Sequence, residues 1–323
     1  MAHDGLPNFR LAPGLGRGGA ASAPMLCSGP MAGGIRKGIR PDGGHMIRLV
    51  LSDLDSTLIW SENHVITRHA LEAIHALQEA DVCFAPATGR IFADLGWMFD
   101  GDEKACSTAV TSNGQLIYLD GRLVHSVSLD TSALQRVADS VSDAPDAFLV
   151  VEYGKEKYAV DAPRATILAH PELFWHVDLF SKEVPEQPCF KANVRVLADM
   201  DRGEEVRAML AAACPELSFV FPMPGLPHID ITPAGWDKAQ AGDWLMGLLG
   251  LSPEEVCCFG DADNDVALLG HYPNSVAVAN ATQQASRAAR WHVGPACRDS
   301  VADALTEIAR AARTGDMPSF MRG

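Results

Sequence analysis

The stretch that decides the fold is IRLVLSDLDST, which occupies residues 47–57. It begins with a largely apolar run, which is typical of a strand buried on both faces of a parallel sheet. Two acids, Asp53 and Asp55, follow where this strand is predicted to end. Because ligands bind at the carboxyl ends of strands in open α/β sheets, both carboxylates are expected to face a site at that edge.

Strands predicted further along the chain also end on polar residues. The runs VCFAPAT, TAVTSN and VCCF predict three such strands, and a predicted helix over 236–249 begins close to a lysine. These residues converge on the same edge as the two acids, because parallel strands share one carboxyl end. The residues concerned are Thr88, Gly89 and Arg90 after the first strand, Asn113 at the end of the second, Asp261, Asn264 and Asp265 after the third, and Lys238 in the helix.

This set of side chains suits phosphoryl transfer better than hydride or acyl transfer. Clustered carboxylates repel one another unless a cation joins them, and oxygen ligands of this kind favour Mg²⁺. A carboxylate such as Asp53 can act as a covalent nucleophile on phosphorus. A second acid two residues away can protonate the leaving oxygen and later activate water. Lys238 can offset charge on the phosphoryl group.

The order of predicted elements indicates two structural units. Residues 46–114 alternate strands and helices, and this pattern resumes over 233–323, which predicts an α/β core with a parallel sheet. Residues 115–232 instead begin with a hairpin that turns at Asp120-Gly121 and continue with antiparallel character. The prediction is therefore an α+β cap inserted into the core, which closes as a lid over the carboxylates.

Composition narrows the class of protein further. The 323 residues carry a formal net charge of −15, which argues against a nucleic-acid surface, and no apolar run approaches the roughly 20 residues of a membrane span. The eight cysteines show no zinc or CxxC spacing, which favours reduced thiols in the cytoplasm. Residues 1–45, rich in Gly and Pro, are predicted to be disordered, with Met46 as an alternative start of the chain.

Four segments together resemble a known superfamily. DLDST, ATGR, ITPAGWDKA and CFGDADND, in this order, resemble the four motifs of the haloacid dehalogenase (HAD) superfamily. SNGQLIY, PHIDITP and VAVANA are similar to its Cof-type phosphatases, which carry an α/β cap of the C2B type. The resemblance spans residues 47–305 and implies a Rossmann-like core with a C2B cap. Two positions depart from the usual pattern, since Ser56 and Ala239 stand where glycine is common.

The resemblance implies a role for each matching residue. Asp53 is implied as the nucleophile, Asp55 as the general acid/base, and Thr88 and Lys238 as the groups that stabilise the phosphoryl oxygens. The implied cofactor is Mg²⁺. Its implied ligands are Asp53, the Asp55 carbonyl, Asp261 and Asp265, and the implied phosphate-binding residues are Thr88, Gly89, Arg90, Asn113, Lys238 and Asn264.

Several alternatives stay open at the level of sequence. Arg90 orients the phosphate or forms a salt bridge, and four cap residues either contact the leaving group or are ordinary polar side chains. The activity is that of a phosphatase on a small phosphorylated metabolite, such as a sugar phosphate, or of a phosphomutase, or of a signalling domain phosphorylated on Asp53. The inserted cap argues against the last. The four cap residues are Glu152, Lys191, Arg195 and His228.

Overall fold

The computed structural model describes residues 46–223 and 225–322, so the predicted disorder of residues 1–45 lies outside the described residues. The strands, in chain order, are β1 (Leu49–Ser52), β2 (Cys83–Pro86), β3 (Ala109–Thr111), β4 (Leu116–Leu119), β5 (Arg122–Ser126), β6 (Ala147–Tyr153), β7 (Glu156–Val160), β8 (Leu179–Ser181), β9 (Ala192–Val196), β10 (Leu217–Val220), β11 (His228–Pro233), β12 (Val256–Gly260), β13 (Asn274–Val278) and β14 (Trp291–Val293). The helices are α1 (Arg68–Glu79), α2 (Phe92–Met98), α3 (Thr131–Ser142), α4 (Arg164–Ala169), α5 (Met200–Ala213), α6 (Lys238–Leu249), α7 (Val266–His271), α8 (Gln283–Ala288) and α9 (Ser300–Thr314).

The core is a parallel sheet with the strand order β14-β13-β12-β1-β2. Strand β1 lies inside this sheet, paired in parallel with β2 and β12. Val50 packs into the apolar cluster that includes α1 and α9, whereas Leu49 and Leu51 pack into the cluster that includes α6 and α7. Both faces of β1 are thus covered, which explains why its sequence is apolar without alternation. The predicted α/β class is confirmed.

Helix α1 shows how local sequence places an element on this sheet. The side chain of Thr67 caps the helix by accepting a hydrogen bond from the backbone N–H of Ala70 at 3.1 Å. Ala70, Ile74 and Leu77 form its buried stripe. Local sequence thus determines both where α1 begins and which of its faces is buried.

The hairpin β4–β5 lies against the core. Strand β3 pairs antiparallel with β4, and a bridge between Ala87 and Val110 connects β3 to the end of β2. The turn uses Asp120 and Gly121, both with positive φ, as a two-residue hairpin turn requires. By hydrogen bonding, the hairpin is therefore an extension of the core sheet and does not join the sheet of the inserted unit that was predicted to start at residue 115.

The inserted unit has its own six-stranded sheet with the order β10-β11-β9-β6-β7-β8. Every pair in it is antiparallel except β7–β8. Helices α3 and α5 pack on one face, where Val194 and Val196 of β9 are buried. On the opposite face Phe174 and Val177 cover part of the sheet, and polar residues occupy the rest. None of the helices among the described residues is long and apolar enough to cross a membrane.

Candidate active site

The polar residues at the carboxyl edge of the core meet the first turn of α6. Asp237 caps this helix: its carboxylate accepts a hydrogen bond from the N–H of Ala239 at 2.7 Å, and Oε1 of Gln240 accepts one from the N–H of Asp237 at 3.2 Å. This capping box fixes the start of α6 and therefore the position of Lys238. Lys238 lies below the ends of β1 and β12 and is 1% exposed.

A buried ion pair network forms the floor of the site. The ammonium of Lys238 lies 2.6 Å from Asp53 Oδ1 and 2.6 Å from Asp265 Oδ1. The second oxygen of Asp265 accepts hydrogen bonds from the N–H groups of Asp261 and Ala262 at 3.0 and 3.2 Å. These bonds fix the loop after β12, so that Asp261 is held beside Asp53.

Two small features keep this loop in place. Thr57 Oγ1 donates a 2.7 Å hydrogen bond to Asp261 Oδ1. A Cβ atom at Gly260 would lie 2.6 Å from the Cβ of Asp265, so only glycine fits there. Ser56 adopts φ 63°, a left-handed conformation that explains why glycine is common at this position of the motif.

Three carboxylates of the floor can share one cation. Ligand atoms of Asp53, Asp261 and Asp265 lie within 4.8 Å of one another, and all three residues are buried. Burial, the largest cause, raises the pKa of Asp53 well above its ordinary value; Lys238 opposes this shift and the neighbouring acids reinforce it. Burial and Asp265 likewise raise the pKa of Asp261 to about 7, although the Thr57 hydrogen bond acts in the other direction.

These shifts indicate an excess of buried negative charge that Lys238 alone does not balance. A hard divalent cation with oxygen ligands fits such a cluster. The residues present therefore fit the implied metal. The fourth predicted ligand is the backbone carbonyl of Asp55, whereas the carboxylate of Asp55 makes a separate contact with Arg90.

Asp55 is engaged by the loop after β2. Arg90 donates to both carboxylate oxygens of Asp55, from Nε at 2.9 Å and from Nη2 at 2.7 Å. Both side chains are about one third exposed, so the pair faces the cleft. Thr88 is buried, and its hydroxyl accepts a 3.1 Å hydrogen bond from the N–H of Arg90. The salt bridge that was considered for Arg90 is present, and its partner is the predicted acid/base.

The turn Ser112–Gly114 carries Asn113 to the same edge in a strained conformation. Ser112, Asn113 and Gly114 have φ values of 51°, 54° and 100°. The N–H groups of Ser112 and Asn113 donate to the carbonyls of Arg90 and Thr88, which ties this turn to the loop after β2. Strained residues of this kind persist where the surrounding structure holds them in place.

Asn113 connects the core to the cap. Its Nδ2 donates to Asp230 Oδ2 at 2.7 Å, and its Oδ1 accepts from Asn264 at 3.3 Å. Asp230 also lies 3.2 Å from the ammonium of Lys191 and 3.3 Å from His228. Despite burial, Lys191 and these hydrogen bonds lower the pKa of Asp230, so it is a carboxylate at neutral pH.

The polar cap residues share one face of the six-stranded sheet. Alternate residues of β9 and β11 point to this face, while their neighbours pack under α3 and α5. The cleft between this face and the core edge has a volume of about 180 Å³. Its cap lining includes Glu152, Lys157, Trp175, Lys191, Arg195, His228 and Asp230, and its core lining includes Asp53, Asp55, Thr88, Gly89, Arg90, Asp94 and Asn264.

All four cap residues considered from the sequence line this cleft, but they differ in how far their side chains are available to a ligand. Arg195 is 1% exposed, and its guanidinium donates to Asn193 at 2.8 Å and to the carbonyl of Leu173 at 2.7 Å. Arg195 is thus committed to the cap itself. Asp230 and Lys157 were not among the residues predicted from the sequence. The period-two alternation in HIDITP is the signal that predicts Asp230, and the pairing of β6 with β7 is the signal that places Lys157 opposite Glu152.

A second cavity, of about 270 Å³, lies at the opposite edge of the core sheet. It is lined by residues at the amino ends of β1 and β13, Ile47 and Asn274, together with Met317 and Pro318 near the chain end. Its lining is mainly apolar. Ligand sites in such sheets lie at the carboxyl edge, so the smaller, charged cleft is the candidate active site.

Comparison with known proteins places the chain in a family. The model of the haloacid dehalogenase-like hydrolases matches residues 50–305, so the chain belongs to this family. The predicted HAD fold with a cap of the subclass IIB type is confirmed.

Solved structures share this fold at low sequence identity. A subclass IIB sugar phosphatase, BT4131, is 20% identical with a TM-score of 0.68, covering 80% of this chain and 97% of its own. The phosphatase BT1666 of Bacteroides thetaiotaomicron is 20% identical with a TM-score of 0.70, covering 84% and 98%. A protein from Streptococcus mutans UA159 has the same identity and TM-score, covering 80% and 97%. At such identities the likeness shows the fold alone.

Proposed function

We propose that this protein is a Mg²⁺-dependent phosphatase that hydrolyses a small phosphorylated metabolite, such as a sugar phosphate, through a phosphoryl group carried on Asp53. The observation that carries the proposal is the pairing of Asp53 with Lys238 at 2.6 Å beside two further buried carboxylates. Phosphatases among the structures of the same fold agree with it.

The contacts of Asp53 indicate which of its oxygens attacks. Lys238 binds Oδ1, and among the described residues no hydrogen bond reaches Oδ2. Oδ2 is therefore the proposed nucleophile: it forms a bond to phosphorus while the bond from phosphorus to the leaving oxygen breaks. Lys238 offsets the charge of the carboxylate and of the phosphoryl oxygens.

Asp55 is the proposed proton donor and acceptor. It lies two residues beyond the nucleophile at the mouth of the cleft, and it is accessible there despite its contact with Arg90. It gives a proton to the leaving oxygen in the first step. In the second step it takes a proton from water, whose oxygen bonds to phosphorus while the bond from phosphorus to Asp53 Oδ2 breaks, which releases phosphate and restores Asp53. Thr88 and the turn at Asn113 position the phosphoryl oxygens.

Mg²⁺ bound at Asp53, Asp261 and Asp265 would neutralise negative charge on the transferring group. The backbone carbonyl of Asp55, implied by the family motifs, completes the proposed ligand set. The seven cysteines in the described part of the chain are free thiols, which supports the cytoplasm as the proposed location.

The test replaces Asp53 with asparagine, which keeps the shape and removes the nucleophile. We expect Asp53→Asn to lower kcat on p-nitrophenyl phosphate by at least ~10³, the scale of losing a covalent catalyst. Asp81→Asn is the matched control, because Asp81 is exposed and asparagine accepts its positive φ. Turnover by Asp53→Asn near the wild-type rate would rule the mechanism out.

Product analysis separates the proposal from its alternatives. A phosphatase releases free phosphate from the substrate, a phosphomutase yields an isomer of it, and a signalling domain accumulates a long-lived phosphoprotein. We expect free phosphate in stoichiometric amounts with the alcohol. An isomeric sugar phosphate as the main product would assign the protein to the mutases.

A further inference from the structure

Lys157 of β7 is a cation of the cleft without a hydrogen bond among the described residues. Its side chain is 12% exposed, and its ammonium lies 3.8 Å from Glu152 Oε2 and 4.1 Å from the ring centroid of Trp175. The carboxylate is too distant for a hydrogen bond, and the aromatic ring attracts the ammonium without accepting a conventional hydrogen bond from it. Three donors are therefore held in place and left available to a ligand.

The other cations of this face are already committed. Arg195 donates to groups of the cap, and the ammonium of Lys191 lies 3.2 Å from Asp230. Glu152 opposes Lys157 directly across strands β6 and β7, and it also accepts a 3.2 Å hydrogen bond from Asn193. Lys157 is thus the basic residue of the cap face that can change partners without breaking a short contact.

The charges around Lys157 indicate what it binds. The cap face carries three cations, which are Lys157, Lys191 and Arg195. It also carries two carboxylates, Glu152 and Asp230. A third carboxylate, Asp94 of helix α2, lines the cleft opposite them. Burial lowers the pKa of His228, which leaves this imidazole mainly neutral at pH 7. Around Lys157 three cations therefore face three carboxylates, and Arg90 and Asp55 of the core pair with each other, so an additional ion of either sign would lack a counter-ion there.

A hydroxyl group is neutral and suits both Lys157 and Glu152, because it accepts a hydrogen bond from an ammonium and donates one to a carboxylate at the same time. Because the ammonium of Lys157 and Glu152 Oε2 are 3.8 Å apart, one oxygen lying beside them can be within hydrogen-bond distance of both. The remaining wall is apolar: Trp175 and Met223, 48% and 41% exposed, line the same cleft with Leu226. A ring with C–H edges and hydroxyl groups matches this combination.

We infer that Lys157, with Glu152, determines specificity by binding a hydroxyl of a neutral, polyhydroxylated leaving group, and that the site discriminates against leaving groups that carry a carboxylate. The inference deepens the proposed function and rests on it. Trp175 acts as a positioning residue that holds the ammonium of Lys157 over the cleft.

The experiment measures kcat and KM on three classes of phosphomonoester. The first holds glucose, mannose and fructose 6-phosphates and ribose 5-phosphate; the second holds 6-phosphogluconate and 3-phosphoglycerate; the third is p-nitrophenyl phosphate. Wild type, Lys157→Gln and Glu152→Gln are compared with Lys155→Gln, a control on the exposed turn of the same hairpin. Activity on p-nitrophenyl phosphate reports on folding and on the core chemistry.

We expect the best natural substrate to belong to the first class. Lys157→Gln should raise KM for it by at least ~10-fold, the scale of a hydrogen bond from a charged group, and change p-nitrophenyl phosphate by less than about twofold. Glu152→Gln should shift the preference toward 6-phosphogluconate, because it removes the carboxylate that repels that substrate. Lys155→Gln should leave all three classes unchanged.

Three outcomes would overturn the inference while leaving the proposed function intact. They are a preference of the wild type for the carboxylated class, hydrolysis of p-nitrophenyl phosphate with none of the first class, and equal losses on sugar and aryl substrates in Lys157→Gln. If wild type releases no phosphate even from p-nitrophenyl phosphate with Mg²⁺ present, the proposed function itself fails.

Discussion

At the scale of single residues, the floor of the cleft holds more acid than base. One lysine, Lys238, contacts Asp53 and Asp265, and Asp261 adds a third buried carboxylate. Removing carboxylates from water costs several kcal/mol each unless they are paired, so protons or a metal ion must neutralise the remainder. We therefore expect protons and the proposed Mg²⁺ to compete for the floor of the cleft.

This competition predicts a pH-dependent affinity for Mg²⁺. Burial and Asp265 raise the pKa of Asp261 to about 7, against 3.8 for a free side chain, so between these values the metal-free native state holds a proton that the unfolded state has lost. Without metal, stability from this group falls as pH rises through that window. Mg²⁺ must displace the proton, so its affinity should fall at least ~10-fold from about pH 7.5 to about pH 5.5.

The measurement is calorimetric titration of Mg²⁺ into protein freed of metal with EDTA, at both pH values. Asp261→Asn should bind Mg²⁺ more weakly and with a smaller dependence on pH than wild type, because the amide carries no titratable proton and Asp53 is left as the ligand whose pKa is raised. Asp263→Asn, on the exposed side of the same loop, serves as the control and should behave like wild type. Equal affinity of wild type at the two pH values would show that Asp261 is already ionised.

At the scale of elements, the turn Ser112–Gly114 couples the loop after β2 to helix α6. The carbonyl of Gly114 accepts a 2.9 Å hydrogen bond from the indole of Trp236. A Cβ atom at Gly114 would lie 2.5 Å from the carbonyl oxygen of Asp237, the cap of α6. Backbone packs on backbone here, so the position of Lys238 depends on the absence of a side chain at Gly114.

Gly114→Ala should therefore cost both stability and activity. A left-handed φ costs a non-glycine residue about 1 kcal/mol, and the clash with Asp237 adds roughly 1–3 kcal/mol. Gly121→Ala is the matched control, because Gly121 has φ 75° and nothing within 4 Å of the added atom. Urea unfolding should show the larger loss in Gly114→Ala, and kcat on an aryl phosphate should fall in that variant alone. Equal effects in both variants would mean that strain, not the clash, dominates.

Regular elements of this fold could be predicted from sequence, and irregular ones could not. Strand β1 is determined by its buried apolar run, and helix α1 by its N-terminal capping residue and its stripe of apolar side chains. The ends of the parallel strands then place Asp53, Thr88 and Asp261 at one edge of the sheet. Alternation along β9 likewise marks the residues facing the cleft. Trp175 lies in the irregular segment between α4 and β8, two short elements without a periodic signal, so only tertiary packing brings it to Lys157.

At the scale of the whole molecule, one carboxylate joins the cap to the core. Asp230 belongs to β11 of the cap sheet, and it is bound by Asn113 of the core and by Lys191 of the cap. Asn113 in turn accepts from Asn264, in the loop that carries Asp261. Hydrogen bonds thus connect Lys191 and Asp230 of the cap, through Asn113, to Asn264 in the loop after β12.

Asp230→Asn tests whether this connection matters to catalysis. The amide keeps the size of the side chain but loses the charge that pairs with Lys191, whose side chain is only 16% exposed. The cap should then sit less firmly on the core, and kcat/KM should fall at least ~10-fold for a sugar phosphate that contacts both units. A small aryl phosphate hardly reaches the cap, so its loss should stay below about threefold. Asp178→Asn, on an exposed part of the cap, is the control for charge alone. Equal losses on both substrates would show that Asp230 supports the core chemistry directly, and that the cap and core are not coupled through it.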